Sequence, residues 1–206
     1  MSKKLNNPVK LGNIIIVSAP SGAGKSSICD AVLASDKENI TYSISYTTRA
    51  SREGEKYGKN YFFVSEEDFK KMIEEDKFVE WAKVHGNYYG TSKEFLEKVL
   101  EEGKNIILEI DVQGGINIKN EYPDRACMIF IMTPDFKTLK ERLIARNKDC
   151  RDSINMRMIN AKKELEYLPQ YEYLVINKDF SIAVESVKTI IASLKYRVQK
   201  DTIYFV

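Results

Sequence analysis

A short stretch near the amino end, Ser18-Ala19-Pro20-Ser21-Gly22-Ala23-Gly24-Lys25-Ser26-Ser27, constrains this chain more than any other. It follows Asn13-Ile14-Ile15-Ile16-Val17, an apolar β-branched run that reads as a buried strand. It precedes Ile28–Ala34, whose apolar groups repeat as they do in a helix. A strand, a glycine-bearing turn and Gly-Lys-Ser opening a helix is the context a phosphate-binding loop requires. Glycines let the backbone wrap an anion, with N–H groups pointing inward and the positive end of the helix behind them. Lys25 is then placed to reach the β and γ phosphates, and the Ser26 hydroxyl to ligate Mg²⁺. The first motif position holds Ala19 where the pattern asks for Gly, so the turn needs a negative φ there. The bland alternative is an ordinary Gly/Ser turn. Lys and Ser directly after Gly24 favour phosphate, but leave open what the nucleotide is used for.

The length, 206 residues, suits one good core with small inserted subdomains. Lys+Arg 32 against Asp+Glu 30 leaves +2, so no global field argues for nucleic acid or a membrane surface. Anion specificity must then come from local arginines. Cys29, Cys127 and Cys150 are odd in number and lack metal-ligand spacing, which points to reduced thiols. Met1–Leu11 has no apolar signal core and no run approaches a membrane span, so a cytoplasmic location is expected.

Helical and extended patterns alternate, which predicts an α/β fold with a parallel sheet covered by helices. Strands are expected at 13–19, 40–46, 105–111, 126–132 and 172–177, and helices at 25–34, 112–120, 135–146, 153–167 and 179–199. Between 47 and 90 the alternation breaks. Tyr61–Val64 and Lys77–Val84 read as short strands there, around a helix that starts at Ser65-x-x-Asp68. Phe78-Val79-Glu80-Trp81 alternates, which sets Glu80 opposite Val79 and Trp81. Gly86–Thr91 reads as an aromatic turn, and Thr91-Ser92-Lys93-Glu94 has the spacing of a helix cap at Thr91.

Several groups of residues carry chemistry, each with a plainer rival. Arg49 and Arg52, with Tyr61 soon after, can converge on one phosphate or form a solvated basic loop. Glu80 is a surface carboxylate unless the fold buries it, and Thr91 is a cap or a ligand contact. Ile106-Ile107-Leu108 leads into Glu109-Ile110-Asp111, an apolar strand ending in acids, as beside a phosphate loop. Two like charges on one face are costly without a cation, which Lys25 and Mg²⁺ would supply. Arg142 and Arg146 share a helix face, and a polar loop then leads to Arg157, an arrangement that suits a hinged lid or solvated helices. Asn177 ends a strand, where it bonds an adenine edge or simply terminates the strand. His85, the one histidine, has no partner in sequence and reads as structural.

Together these motifs resemble the guanylate kinase family over nearly the whole chain. The resemblance rests on Ala19–Ser26, Thr47-Thr48-Arg49-x-x-Arg52-x-Gly54-Glu55, Tyr61-Phe62-Phe63-Val64, Gly86-Asn87-Tyr88-Tyr89-Gly90 and Glu109-Ile110-Asp111-x-Gln113-Gly114. It implies a single three-layer P-loop kinase domain spanning 1–206. The core would be 11–46, 91–144 and 157–206, with a GMP-binding insertion at 47–90 and a lid at 145–156. The implied reaction moves the γ-phosphoryl group of MgATP to GMP or dGMP. ATP would lie on Ala19, Pro20, Ser21, Gly22, Ala23, Gly24, Lys25, Ser26 and Ser27, with Asn177 near the adenine and Ser26 on the metal. GMP would meet Ser45, Arg49, Arg52, Tyr61, Glu80, Tyr89, Thr91, Glu109 and Asp111. Catalysis would fall to Lys25, Arg142, Arg146, Arg157 and Asp111. One carboxylate can accept both the N1–H and the 2-amino group of guanine, whereas adenine presents an acceptor at N1.

Two departures stand out. Ile144-Ala145-Arg146-Asn147 lacks the glycine hinge the family usually carries, and Glu109 stands where Asp is also common. The rival readings are a non-catalytic protein-binding module of this fold and a P-loop kinase for another small acceptor. Retention of Lys25, Ser26 and the lid arginines opposes the first, and Glu80 with Ser45 opposes the second. Neither the sequence nor the resemblance chooses between monomer and homodimer.

Overall fold

The computed structural model describes residues 11–84, 86–145 and 151–197. In chain order it contains β1 (Ile14–Ser18), α1 (Lys25–Ser35), β2 (Ile40–Tyr42), β3 (Tyr46–Thr47), β4 (Phe62–Phe63) and α2 (Glu66–Glu74). There follow β5 (Phe78–Val84), β6 (Asn87–Ser92), α3 (Lys93–Glu101), β7 (Asn105–Glu109) and α4 (Val112–Glu121). The last are β8 (Ala126–Met132), α5 (Phe136–Ala145), α6 (Arg151–Leu165), β9 (Tyr173–Ile176) and α7 (Phe180–Ser193).

Five strands form a parallel sheet in the order β2-β7-β1-β8-β9. All of β1 is buried, because a central parallel strand is covered on both faces and cannot alternate apolar with polar residues. Its side chains still part by face. Ile15 and Val17 join the cluster that holds Ile28 and Val32 of α1, Leu139 of α5 and Val187 of α7. Ile14 and Ile16 join Leu96 and Leu100 of α3 and Ile118 of α4. The result is three layers, helices on either side of one sheet, as the alternating pattern predicts.

A second sheet, in the order β4-β3-β6-β5, stands apart from the first. Phe69 of α2 fills its back, stacking on Phe78 at 4.5 Å and on Tyr88 at 5.4 Å between ring centroids. Gly90 makes room for this: a Cβ there would meet the Phe78 ring at 2.8 Å.

Several sequence expectations change here. The strand expected at 40–46 is split, with β2 in the parallel sheet and β3 in the second. The chain crosses between them through Ser43-Ile44-Ser45, Ser43 N–H still donating to the Ile107 carbonyl at 3.0 Å. Gly86–Thr91 is mainly strand rather than turn, because β5 supplies the backbone partner of Asn87–Ser92. Ser92, not Thr91, caps α3, accepting from the Phe95 N–H at 3.3 Å. The helix expected at 179–199 stops at Ser193 and ends in a 3₁₀ turn, Leu194–Tyr196. His85, Arg146 and Asn147, Cys150 and the end of the chain beyond 197 lie outside the described residues.

Candidate active site

The site gathers at the carboxyl edge of the parallel sheet, where the strand order turns on either side of β1. β1 pairs with β7 in a register that sets Val17 beside Glu109, so the loop leaving β1 lies next to the end of β7. Positive φ falls only on glycine in that loop, +96° at Gly22 and +95° at Gly24. Ala19 keeps a negative φ and its Cβ is tolerated, which meets the condition its sequence set. Helix α1 then opens at Lys25 with no side-chain cap and no acid in its first turn. Its first N–H groups, and the partial positive charge behind them, are left for an anion.

Glu109 is the polar hub beneath this cradle. It accepts from Ser26 Oγ at 2.5 Å and from Tyr42 Oη at 2.8 Å, and Lys25 Nζ stands 3.8 Å away. Lys25 also donates to the Ile110 carbonyl at 3.5 Å. The expected pairing of Glu109 with Asp111 about one cation is not what forms. The strand ends at Glu109, alternation ends with it, and Asp111 Oδ1 accepts from the Gly114 N–H at 2.8 Å as the cap of α4.

Glu80 is buried, with 8% of its surface exposed, so it is not the surface carboxylate of the bland reading. The β5–β6 register shifts between Phe78 and Glu80, so Val79 and Glu80 both turn inward and Trp81 outward, against simple alternation. Thr91 Oγ1 donates to Glu80 Oε1 at 2.7 Å. Gly114 leaves room for the carboxylate, since a Cβ there would stand 2.8 Å from Glu80 Oε2. Burial pushes the Glu80 carboxyl up to about 7, opposed by the Thr91 hydrogen bond and aided by the nearby Asp111 charge.

Arg49 is held between Tyr61 and Phe63, its guanidinium carbon 5.4 Å and 5.9 Å from the ring centroids. Its Nη2 donates to both oxygens of Glu55, at 2.8 Å and 3.0 Å, and that carboxyl is held below its ordinary range by the bond. Tyr61 and Tyr89 meet edge to face at 6.0 Å. Arg52 is exposed, and its main-chain N–H donates to Glu55 at 2.8 Å.

Across the cradle, Arg157 of α6 donates to Ser21 Oγ, 136 positions away in sequence, and Arg142 of α5 donates to the Asn177 carbonyl at 2.9 Å. Arg146 lies outside the described residues. The cleft wall unites Ala19, Lys25, Ser45, Tyr61, Glu80, Tyr89, Glu109 and Asp111, which the sequence singles out, with Glu164, which it does not. Burial pushes the Glu164 carboxyl to about 7, with Lys25 lowering it and Asp111 raising it. Its one sequence signal is a spacing of two helical turns from Arg157. Glu55 and Tyr42 were likewise unassigned, because their partners Arg49 and Glu109 become neighbours in the ways only the folded chain decides.

The cleft thus joins an uncapped helix start and its lysine to a buried carboxylate on a separate sheet. The sequence profile described as guanylate kinase matches residues 11–194. The chain belongs to the guanylate kinase family. It is 48% identical to the guanylate kinase of Caldanaerobacter subterraneus subsp. tengcongensis over 192 residues, 93% of this chain and 92% of that one. It is 39% identical to that of Thermotoga maritima over 190 residues, 92% of this chain and 91% of that one. The crystal structure of guanylate kinase from Anaplasma phagocytophilum superposes with a TM-score of 0.75 at 29% identity, covering 93% of this chain and 89% of that one. The activity is that of an ATP:GMP phosphotransferase, a nucleoside monophosphate kinase. No helix among the described residues is long and apolar enough to cross a membrane.

Proposed function

We propose that the two halves of this cleft divide the substrates, ATP lying over the α1 cradle and GMP against the second sheet. The observation that carries the division is Glu80, a buried carboxylate under Thr91 in the same cleft as Lys25. Ionised, it accepts the two donors of a guanine edge, and with adenine it would face an acceptor unpaired. Ser45, Thr91 and Asp111 complete the base end. Arg49, Arg52, Tyr61 and Tyr89 hold the GMP phosphate, which displaces Glu55 from Arg49. Loop amides from Ala19 to Ser27 cradle the ATP phosphates, Lys25 follows the transferring group, and Arg142, Arg146 and Arg157 neutralise its charge. Phosphoryl transfer needs little covalent chemistry from the protein, so positioning and charge are the whole task.

Ser26 Oγ and Glu109 Oε1 are hard oxygen donors at one point beside Lys25, and they fit a Mg²⁺ that arrives with ATP and keeps most of its water. Ser26 and Glu109 would hold it, and it would supply positive charge to offset that of the phosphates. Residues 47–90 form the GMP-binding insertion and 145–156 the lid, whose closure excludes water so that GMP outcompetes hydrolysis. A cytoplasmic setting accords with the buried, unpaired Cys29 and Cys127. A coupled assay offering ATP with GMP, AMP, UMP or no acceptor tests the reading. Turnover should require GMP, and AMP turnover at or above that with GMP would defeat the assignment of Glu80.

A further inference from the structure

Asn177, one residue past β9, sits where three parts of the site meet. Its main-chain N–H donates to the carbonyl of Met132, the last residue of β8, at 2.7 Å. Its own carbonyl accepts from Arg142 Nη2 at 2.9 Å. Its side-chain amide is buried, and Nδ2 donates to the Ala23 carbonyl at 2.7 Å, 154 positions away in sequence. A Cβ on Gly24 would stand only 2.4 Å from that Nδ2, so the amide fills the space the glycine leaves.

A peptide group is planar and trans, so its C=O and N–H point in opposite directions. Pinning the Ala23 carbonyl outward therefore aims the Gly24 N–H the other way, toward the cradle. Gly24 on one side of that peptide has positive φ, as does Gly22 just before Ala23, so the loop can turn there unless something holds it. We propose that Asn177 is a positioning residue for phosphoryl transfer. It orients the Ala23–Gly24 peptide and ties Arg142 to the same point, so that loop amide and guanidinium meet one phosphate chain in fixed relation. It acts on the triphosphate through the loop, rather than on the adenine. This rests on the kinase reading above.

The test measures kcat and KM for the full chain at pH 8 with ATP and with ITP, which carries an oxo group in place of the adenine 6-amino group. GMP affinity is measured by calorimetry on the same preparations. Asn177→Ala should lower kcat/KM about 10- to 100-fold with either triphosphate, since small misplacements of reacting groups cost that much. The ATP-to-ITP preference and the GMP affinity should stay within about twofold of the parent chain, because one acts through the loop and the other lies at the far end of the cleft. Asn177→Asp keeps the shape but turns an ionised oxygen toward the Ala23 carbonyl, and should lose as much. It carries the test if the alanine variant fails to fold and so fails to bind GMP. Unchanged kcat/KM in either variant, or loss confined to ATP, would overturn the proposal. A parent chain that leaves GMP unphosphorylated would instead sink the kinase reading.

Discussion

Two helices begin at the same edge of the sheet, and they treat their first turns in opposite ways. Helix α4 follows β7 and is closed by Asp111, in extended conformation, whose carboxylate takes the Gly114 N–H. Helix α1 follows the neighbouring β1 and opens on Gly24, in the left-handed region, with no side chain over its amides. A cap satisfies a helix start internally and contributes stability. An uncapped start beside a lysine keeps its donors for something that arrives later. One start is closed by its own side chain at the rim of the cleft, the other is left open, and the difference is a single side chain.

Lys25→Ala strikes the open start hardest. Turnover should fall by about 10³-fold or more, with GMP affinity kept, as when a group that stabilises transferring charge is removed. Steady-state rates near those of the parent would make α1 no different from α4. Glu80→Gln probes the acceptor end, packed against the first turn of α4. Its kcat/KM for GMP should drop about 10- to 100-fold while KM for ATP stays within about twofold, and the preference for GMP over AMP should shrink. If ATP affinity collapses instead, Glu80 belongs to the other half of the cleft.

A third outcome follows from the Glu80 carboxyl, raised by burial from its ordinary 4.5 to about 7. On the proposed reading GMP binds the ionised form, so affinity should weaken about tenfold per pH unit below 7 as one proton must be released. The folded chain binds this proton more tightly than the unfolded one. The ionisation of Glu80 therefore takes nothing from stability below about pH 4.5, and stability is lost progressively as pH rises from there to about 7. Calorimetric titration of GMP at pH 5.5 to 8 reads the first effect, and affinity flat across that range would contradict it. The smallest effect lies at the closed start. Asp111→Ala should cost about 1 kcal/mol in denaturant unfolding, and Asp111→Asn, which keeps the acceptor, much less. If the two cost the same, Asp111 is not acting as the cap.

The phosphate loop was legible because each of its requirements is local: a buried strand, glycines where φ turns positive, then Lys-Ser at a helix start. Strong, long periodic elements such as β1, β8 and α1 were legible for the same reason. The second sheet was harder to read. Its strands are short, β6 gains its identity from pairing with β5, and a bulge turns Glu80 against the alternation of its own sequence. Glu164 offered only its two-turn spacing from Arg157, and Glu55 only its place in a motif with no role attached, because what distinguishes them is who stands opposite.

By itself the sequence determined a parallel α/β core with a nucleotide cradle, and the residue types that grip a phosphate. Only the tertiary structure decided that Asp111 closes a helix, that Asn177 reaches back to Ala23, and that Glu80 lies buried in the cleft that Lys25 shares. Backbone conformation and charge type are properties of neighbours along the chain. Burial, and the partner each polar group finds, depend on which distant segments fold against it.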